Sequence, residues 1–296
     1  MKNRSPIILN CFSRGGSNIL WNIFLSHPDL CHPLEETLQI FSTNIRAPRY
    51  EGFRVAFMEK FSLFDQWNFQ DRVLFKPQTG DYIDNILYKR KLNNLIDHEM
   101  KYKTENDIYS KSEVEKSRIV LKNNNGLIFL TDAFNKIYSD STFIGMVRHP
   151  IALYESHKRR KTKVAKSIKT FTNYYICLVK KMLADNQTKS NYHLITFEEL
   201  LSNPVSMLEN LYNWANIDQT RIKKIRLKAK PFMNHEGRHS TTFKKNKHYW
   251  FSLAELTKYL DVNINKNQVS LVSENEKLLM YETLKDYMSI FQYEVY

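Results

Sequence analysis

Cysteine is scarce: three in 296 residues, at positions 11, 31 and 177. That is too few and too scattered for a disulfide framework or a zinc site. Cys11 lies in an apolar run and Cys177 in a helical pattern, where a cysteine serves as a small packing group. Glycine (7) and proline (8) are few as well. No repeat, low-complexity block or clean linker divides the chain, so one domain over 1–296 is expected. No apolar stretch is long enough to cross a membrane, and the first apolar run begins near Pro6, where a signal peptide would need its room. A cytoplasmic protein without a membrane span is the expectation. Acid is in deficit: 31 Asp and Glu against 44 Lys and Arg, a net charge of +13. That balance favours anionic partners, although the lysines are spread along the chain and much of the charge reads as solvated surface.

Against these absences stand three β-branched apolar runs, Ile7 to Phe12, Thr142 to Val147 and Tyr192 to Thr196, with a weaker one at Ile119 to Leu121. Continuous apolar runs separated by helical patterns predict an α/β protein in three layers. Its central sheet is mostly parallel, with helices on both faces. Helical stripes follow at Ile19, Leu20, Ile23 and Phe24; at Ile168, Phe171, Tyr175, Leu178 and Met182; and at Leu278, Tyr281, Leu284, Met288 and Phe291. All three read as core. The aromatic and charged stretch at about 49–115 reads as a helical insertion or lid, and 228–250 as a basic loop.

Two segments carry chemistry. The first, PIILNCFSRGGSNILWNIF, is a strand, an Arg14-Gly15-Gly16-Ser17-Asn18 turn and a helix. Helix starts expose unpaired N–H groups with partial positive charge, and glycines let the backbone close on an oxyanion. Arg14 adds a planar charged fork and Ser17 a hydroxyl. An ordinary strand-to-helix turn capped by Ser17 explains the same residues equally well. The turn lacks the lysine of G-x-x-x-x-G-K-[ST], which weakens an ATP or GTP reading. The second segment is RHPIALYESHKRR, after the run Thr142 to Val147. Arg148 stands just past a strand end, where ligands of parallel sheets bind. Pro150 can open the next helix, and Ser156 lies eight residues after Arg148.

Together these segments resemble the sulfotransferases that use 3′-phosphoadenosine 5′-phosphosulfate (PAPS). Their first motif is [KR]-x-G-[ST]-[TS] between a strand and a helix. Their second is Arg-[Asn/Asp]-Pro with a serine eight residues past the arginine. A third, strand-[FY]-E-[DE]-L with a nearby proline, is matched by ITFEELLSNP. The closing FQYEVY is similar to the end of many bacterial members. The resemblance frames nearly the whole chain and implies a P-loop NTPase-like sulfotransferase architecture.

What the resemblance implies can be assigned residue by residue. Arg14 would contact the leaving-group oxygen, while Gly15, Gly16, Ser17 and Asn18 would line the 5′-phosphosulfate. Asn18 stands where the family has a hydroxyl. Arg148 and Ser156 would hold the 3′-phosphate. Phe197 falls where a tyrosine often lies near adenine. Arg238, Lys244 and Lys245 are candidates for the basic loop that closes on the 3′-phosphate. Glu35 and Glu36, in SHPDLCHPLEETLQIF, are the leading general bases, with His32 as an alternative. Lys122, after the weak strand in VLKNNNG, would stabilise the sulfate oxygens. The acceptor would be a hydroxyl, a carbohydrate among the candidates; no metal and no nucleic acid would be needed.

Other readings use the same features. A nucleotide kinase or phosphotransferase of the P-loop type shares the strand-loop-helix logic but needs a Walker lysine and a Mg²⁺ carboxylate. A non-catalytic nucleotide-binding protein fits the loop, and a nucleic-acid-binding protein fits the charge.

Overall fold

Strands buried on both faces need apolar residues at every position, and the strongest runs become neighbours in one sheet. The computed structural model describes residues 2–34, 36–37, 77–228 and 248–294. Its sheet comprises β1 (Ile7–Cys11), β2 (Leu30–Cys31), β3 (Arg118–Asn124), β4 (Thr142–Val147) and β5 (Tyr192–Thr196). The order is β2-β3-β1-β4-β5 and every pairing is parallel. Ile7 pairs with Val120 on one side and Thr142 on the other, which puts the C-terminal ends of β1, β3 and β4 on one rim.

Helices cover both faces. They are α1 (Ser17–Phe24), α2 (Pro77–Leu92), α3 (Lys111–Lys116), α4 (Thr131–Ile137), α5 (Pro150–Arg159), α6 (Ile168–Thr188), α7 (Phe197–Ser202), α8 (Pro204–Trp214), α9 (Leu253–Tyr259), α10 (Ile264–Val269) and α11 (Glu274–Ile290). Strand residues alternate between two cores. Ile8, Phe12, Leu121 and Phe143 pack with residues of α2, α4, α5, α6 and α11. Ile7, Leu9, Cys11, Ile144 and Met146 pack with α1, α7 and α8. Asn10, a polar residue inside β1, is fully buried and spends its amide on Thr131 Oγ1 at 2.8 Å. No described helix is long and apolar enough to cross a membrane.

Three expectations are corrected. The weak strand at Ile119 to Leu121 is a full strand through Asn124, so Lys122 lies inside it and not after it. Strand pairing supplies the order that its short apolar run did not advertise. The expected loop at 228–250 is strand at both ends. Lys228 closes β6 (Ile225–Lys228), His248 opens β7 (His248–Phe251), and the two pair antiparallel; residues 229–247 lie outside the described set. Of the stretch at 49–115, residues 49–76 also lie outside it, and α2 sends Ile83 and Leu87 into the main core. In α11 the buried line is Met280, Leu284 and Met288. Leu278, two residues and about 200° around the helix from Met280, is 57% exposed, and Tyr281 is 37% exposed.

Candidate active site

The chain leaves β1 through a turn closed by Gly15 N–H donating to Phe12 O at 3.0 Å. Gly16, not Ser17, is the N-cap of α1. Its φ is +92° and its carbonyl accepts from Ile19 N–H at 2.8 Å. A Cβ at Gly16 would stand 2.3 Å from two ring carbons of Phe197, so glycine is required by conformation and by space together. Arg14 also has a left-handed φ, +66°, an uncommon state for a residue with a side chain.

Side chains from behind hold this turn. Asn125 Oδ1 accepts from Ser13 N–H at 2.8 Å and from the Tyr174 hydroxyl at 2.5 Å. His157 Nε2 donates to Ser13 O at 3.0 Å, because a carbonyl can only accept; its Nδ1 then accepts from Thr162 Oγ1 at 2.9 Å. Arg148 Nη1 donates to Arg14 O at 2.7 Å. With the Ser13 and Arg14 carbonyls drawn back, the amides opening α1 form the free face, where a helix has unpaired N–H groups. Burial first, then Arg14 and Arg148, push the His157 imidazole down to about 4, so it is neutral in the folded chain.

The second motif meets the first here. Pro150 opens α5, which carries Ser156 back beneath the turn. Arg14 Nε lies 3.4 Å from Ser156 Oγ. Arg148 is 4% exposed, and its guanidinium lies 4.7 Å from the centre of the Phe197 ring. Its Nε donates to Asn265 Oδ1 at 2.8 Å and its Nη2 to Gln268 Oε1 at 2.5 Å. Burial draws Arg148 down to about 10, against the attraction of Glu198. Arg14 is lowered too, by burial first and then by Arg160 and Arg159. Two arginines are thus brought close together, one buried and one partly so.

A third group stands at the end of β3. The Lys122 side chain is 1% exposed. Its Nζ donates to Asn18 Oδ1 at 2.6 Å, pairs with Glu36 Oε1 at 2.6 Å and lies 4.3 Å above the Trp21 ring. Asn124 Nδ2 donates to Glu36 Oε2 at 2.9 Å. Burial lowers Lys122, and Glu36 opposes that shift.

Arg14, Gly15, Gly16, Ser17, Asn18, Lys122, Glu36, Arg148 and Ser156 therefore converge on the rim of β1, β3 and β4. Glu35, Arg238, Lys244 and Lys245 lie outside the described residues. Phe197 is 3% exposed. It is wedged between Gly16 and Arg148, so little of its ring is open to a base. His32 is buried, and neither ring nitrogen has a partner among the described residues. Burial lowers its pKa well below the usual value. Sequence reasoning missed Asn124, Asn125, His157, Asn265 and Gln268. The Asn-rich VLKNNNG held a signal for the first two, read there as a turn. Nothing local marks the amides of α10.

These elements define an α/β protein with a strand-loop-helix turn at the end of β1 and a buried arginine, Arg148, one strand away. The chain belongs to the sulfotransferase family: the family model described as "Sulfotransferase family" matches residues 6–221. Among solved structures it is similar to the sulfotransferase domain from the curacin biosynthetic pathway, at 14% identity over 99% of both chains with a TM-score of 0.49. The sulfotransferase domain from the Synechococcus PCC 7002 olefin synthase is 15% identical over 96% of both chains, with a TM-score of 0.47. Mouse sulfotransferase SULT7A1, complexed with PAP, is 12% identical over 96% of this chain and 84% of its own, with a TM-score of 0.44. No curated protein matches the sequence.

Proposed function

We propose that this protein transfers a sulfuryl group from PAPS to a hydroxyl acceptor. The observation that carries the reading is the convergence of two anion pockets. The Arg14 turn lies at the mouth of α1, and Arg148 with Ser156 is joined to it through contacts of 2.7 and 3.4 Å. A donor with phosphate groups at both ends of one nucleoside suits two cationic pockets that share a wall. The residues suit that donor, because arginines and hydroxyls match phosphate oxygens.

Bound there, PAPS supplies the sulfuryl group and the phosphate on which negative charge develops as it departs. Arg14 would place fixed charge at that oxygen, with the Gly16 and Ser17 amides and the Ser17 hydroxyl as neighbouring donors, while Gly15, its N–H held by Phe12 O, would line the loop. Arg148 and Ser156 would bind the 3′-phosphate. Lys122 would bind sulfate oxygens, assisted by Asn18. In the structure Lys122 and Glu36 neutralise each other. An anionic sulfate drawing Lys122 toward itself would release the Glu36 carboxylate to accept the acceptor's proton. Glu35 is the second candidate for that task. The 229–247 segment would contribute Arg238, Lys244 and Lys245 to the 3′-phosphate. The mechanism uses no metal, because Arg14 and Lys122 supply the positive charge. Carbohydrate hydroxyls lead the acceptor candidates, since the glutamate position resembles that branch of the family.

Calorimetry against adenosine 3′,5′-bisphosphate, adenosine 5′-phosphate and ATP with Mg²⁺ tests the donor. The bisphosphate is expected to bind tightest; tightest binding of ATP with Mg²⁺ overturns the proposal in favour of a phosphotransferase. A screen with labelled PAPS over carbohydrate and other hydroxyl acceptors then identifies the acceptor.

A further inference from the structure

Arg148 is held more completely than phosphate binding alone requires. A guanidinium has five N–H donors and no acceptor. Three go to protein oxygens: Nε to Asn265 Oδ1, Nη1 to Arg14 O and Nη2 to Gln268 Oε1. One N–H is left on each terminal nitrogen, a pair suited to two oxygens of one phosphate.

Because the guanidinium can only donate, both amides on α10 are oriented by chemistry: their oxygens must face Arg148. The Asn265 NH₂ is then taken by Glu198 Oε1, which also accepts from His149 N–H at 2.9 Å. Asn265 is 5% exposed, locked on both sides. Gln268 differs. It is partly exposed, and no acceptor among the described residues takes its NH₂. It is a donor group fixed beside the free N–H pair of Arg148.

We infer that α10 forms a second wall of the 3′-phosphate pocket, in which the Gln268 amide nitrogen donates to the phosphate and Asn265 positions Arg148 for it. The inference rests on the PAPS reading. The pocket would then combine the two free Arg148 donors, the Ser156 hydroxyl and a neutral amide. Selection for a 3′-phosphate would depend on α10, more than 100 residues beyond the second motif in sequence.

Binding calorimetry with adenosine 3′,5′-bisphosphate and adenosine 5′-phosphate, on the full chain, tests this. Gln268→Ala should weaken the bisphosphate by about 10-fold, in the range of one hydrogen bond to a charged group. Gln268→Glu places a carboxylate against Arg148 and the phosphate and should weaken it by about 100-fold. Adenosine 5′-phosphate should change less than about 2-fold in both. Asn265→Ala should likewise erode the preference for the bisphosphate, and Asn265→Asp, which keeps an acceptor for Nε but sets a second carboxylate against Glu198 Oε1, should not restore it. Equal losses for both nucleotides would reduce α10 to a structural prop, and unchanged bisphosphate affinity in Gln268→Glu would exclude Gln268 from the pocket. Either result overturns the inference. If the unmutated chain does not prefer the bisphosphate, the PAPS reading itself fails, a separate outcome.

Discussion

Gly16→Ala isolates how the loop is built. Two costs arise. The φ of +92° is a left-handed backbone state, which charges a residue with a Cβ roughly 1–2 kcal/mol. The new methyl would also stand 2.3 Å from Cδ2 and Cε2 of Phe197, well inside the ~3.5–4 Å of a carbon–carbon contact. The ring must retreat by about an ångström. It is 3% exposed, with Arg148 4.7 Å from its centre, so the retreat is overpacking, worth ~1–3 kcal/mol. The expected destabilisation is therefore ~2–5 kcal/mol.

Urea denaturation measures the total, and a double mutant separates its parts. Phe197→Ala alone should cost ~3–5 kcal/mol through the cavity it leaves. In that background Gly16→Ala loses its clash and should cost roughly the 1–2 kcal/mol of backbone strain, a coupling of ~1–3 kcal/mol. The single variant should also bind adenosine 3′,5′-bisphosphate more weakly, since the displaced ring supports Arg148. Equal cost of Gly16→Ala in both backgrounds would refute the wedge, and a cost below about 0.5 kcal/mol, the level of an ordinary surface change, would refute the strain as well.

Lys122→Met should leave bisphosphate affinity within a few-fold and lower turnover by ~10²–10³, the size of one lost transition-state charge contact; unimpaired turnover on an acceptor from the screen would remove it from the chemistry. Glu36→Gln should lower turnover by ~10²–10⁴ and Glu35→Gln much less, so that two fully active variants would require another base. Acid should destabilise the fold between pH 6.5 and about 4. His149 and His157 are both pushed from 6.5 down to about 4, chiefly by burial. In that window the unfolded chain takes up protons that the folded chain refuses, so their contribution is full above pH 6.5 and is lost as pH falls. Each drop corresponds to on the order of 3 kcal/mol. Thermal melts from pH 7 to 4 check it, and a Tm in His157→Gln that falls as steeply as in the unmutated protein would show that His157 does not contribute.

The strands were legible because burial on both faces leaves a run of apolar letters. Thr142–Val147 and Tyr192–Thr196 were readable to the residue. β3 was less legible. Its second half, Lys122-Asn123-Asn124, is polar although it is largely buried at the rim, so the apolar pattern stops before the strand does. The turn at Arg14 and the pair Arg148 and Ser156 were readable as motifs. Their joining was not, because it depends on α5 returning Ser156 to Arg14. The role of Phe197 was equally hidden. Its letter announces an aromatic face, while only the fold shows Gly16 and Arg148 on either side of it. Asn265 and Gln268 are three residues apart on a short polar helix with no distinguishing sequence signal, and their meaning comes entirely from the guanidinium they meet.

The geometry ties the two pockets together mechanically. Gly16, which opens α1, touches the Phe197 ring; the ring carries Arg148; and Arg148 returns a hydrogen bond to Arg14 O in the turn that precedes Gly16. A change at one pocket is thus felt at the other through three contacts. Arg14 also lowers the affinity of Arg148 for protons, and each is already lowered mainly by burial. An anion bound at either end, as proposed, would offset part of that repulsion and leave the other arginine in a less crowded field. On the proposed reading, a ligand with phosphate at both ends would gain from both arginines at once, whereas a nucleotide with one anionic end would engage only one. Discrimination between the two would therefore come from the closed circuit of Gly16, Phe197, Arg148 and Arg14, beyond the hydrogen bonds made by any one residue.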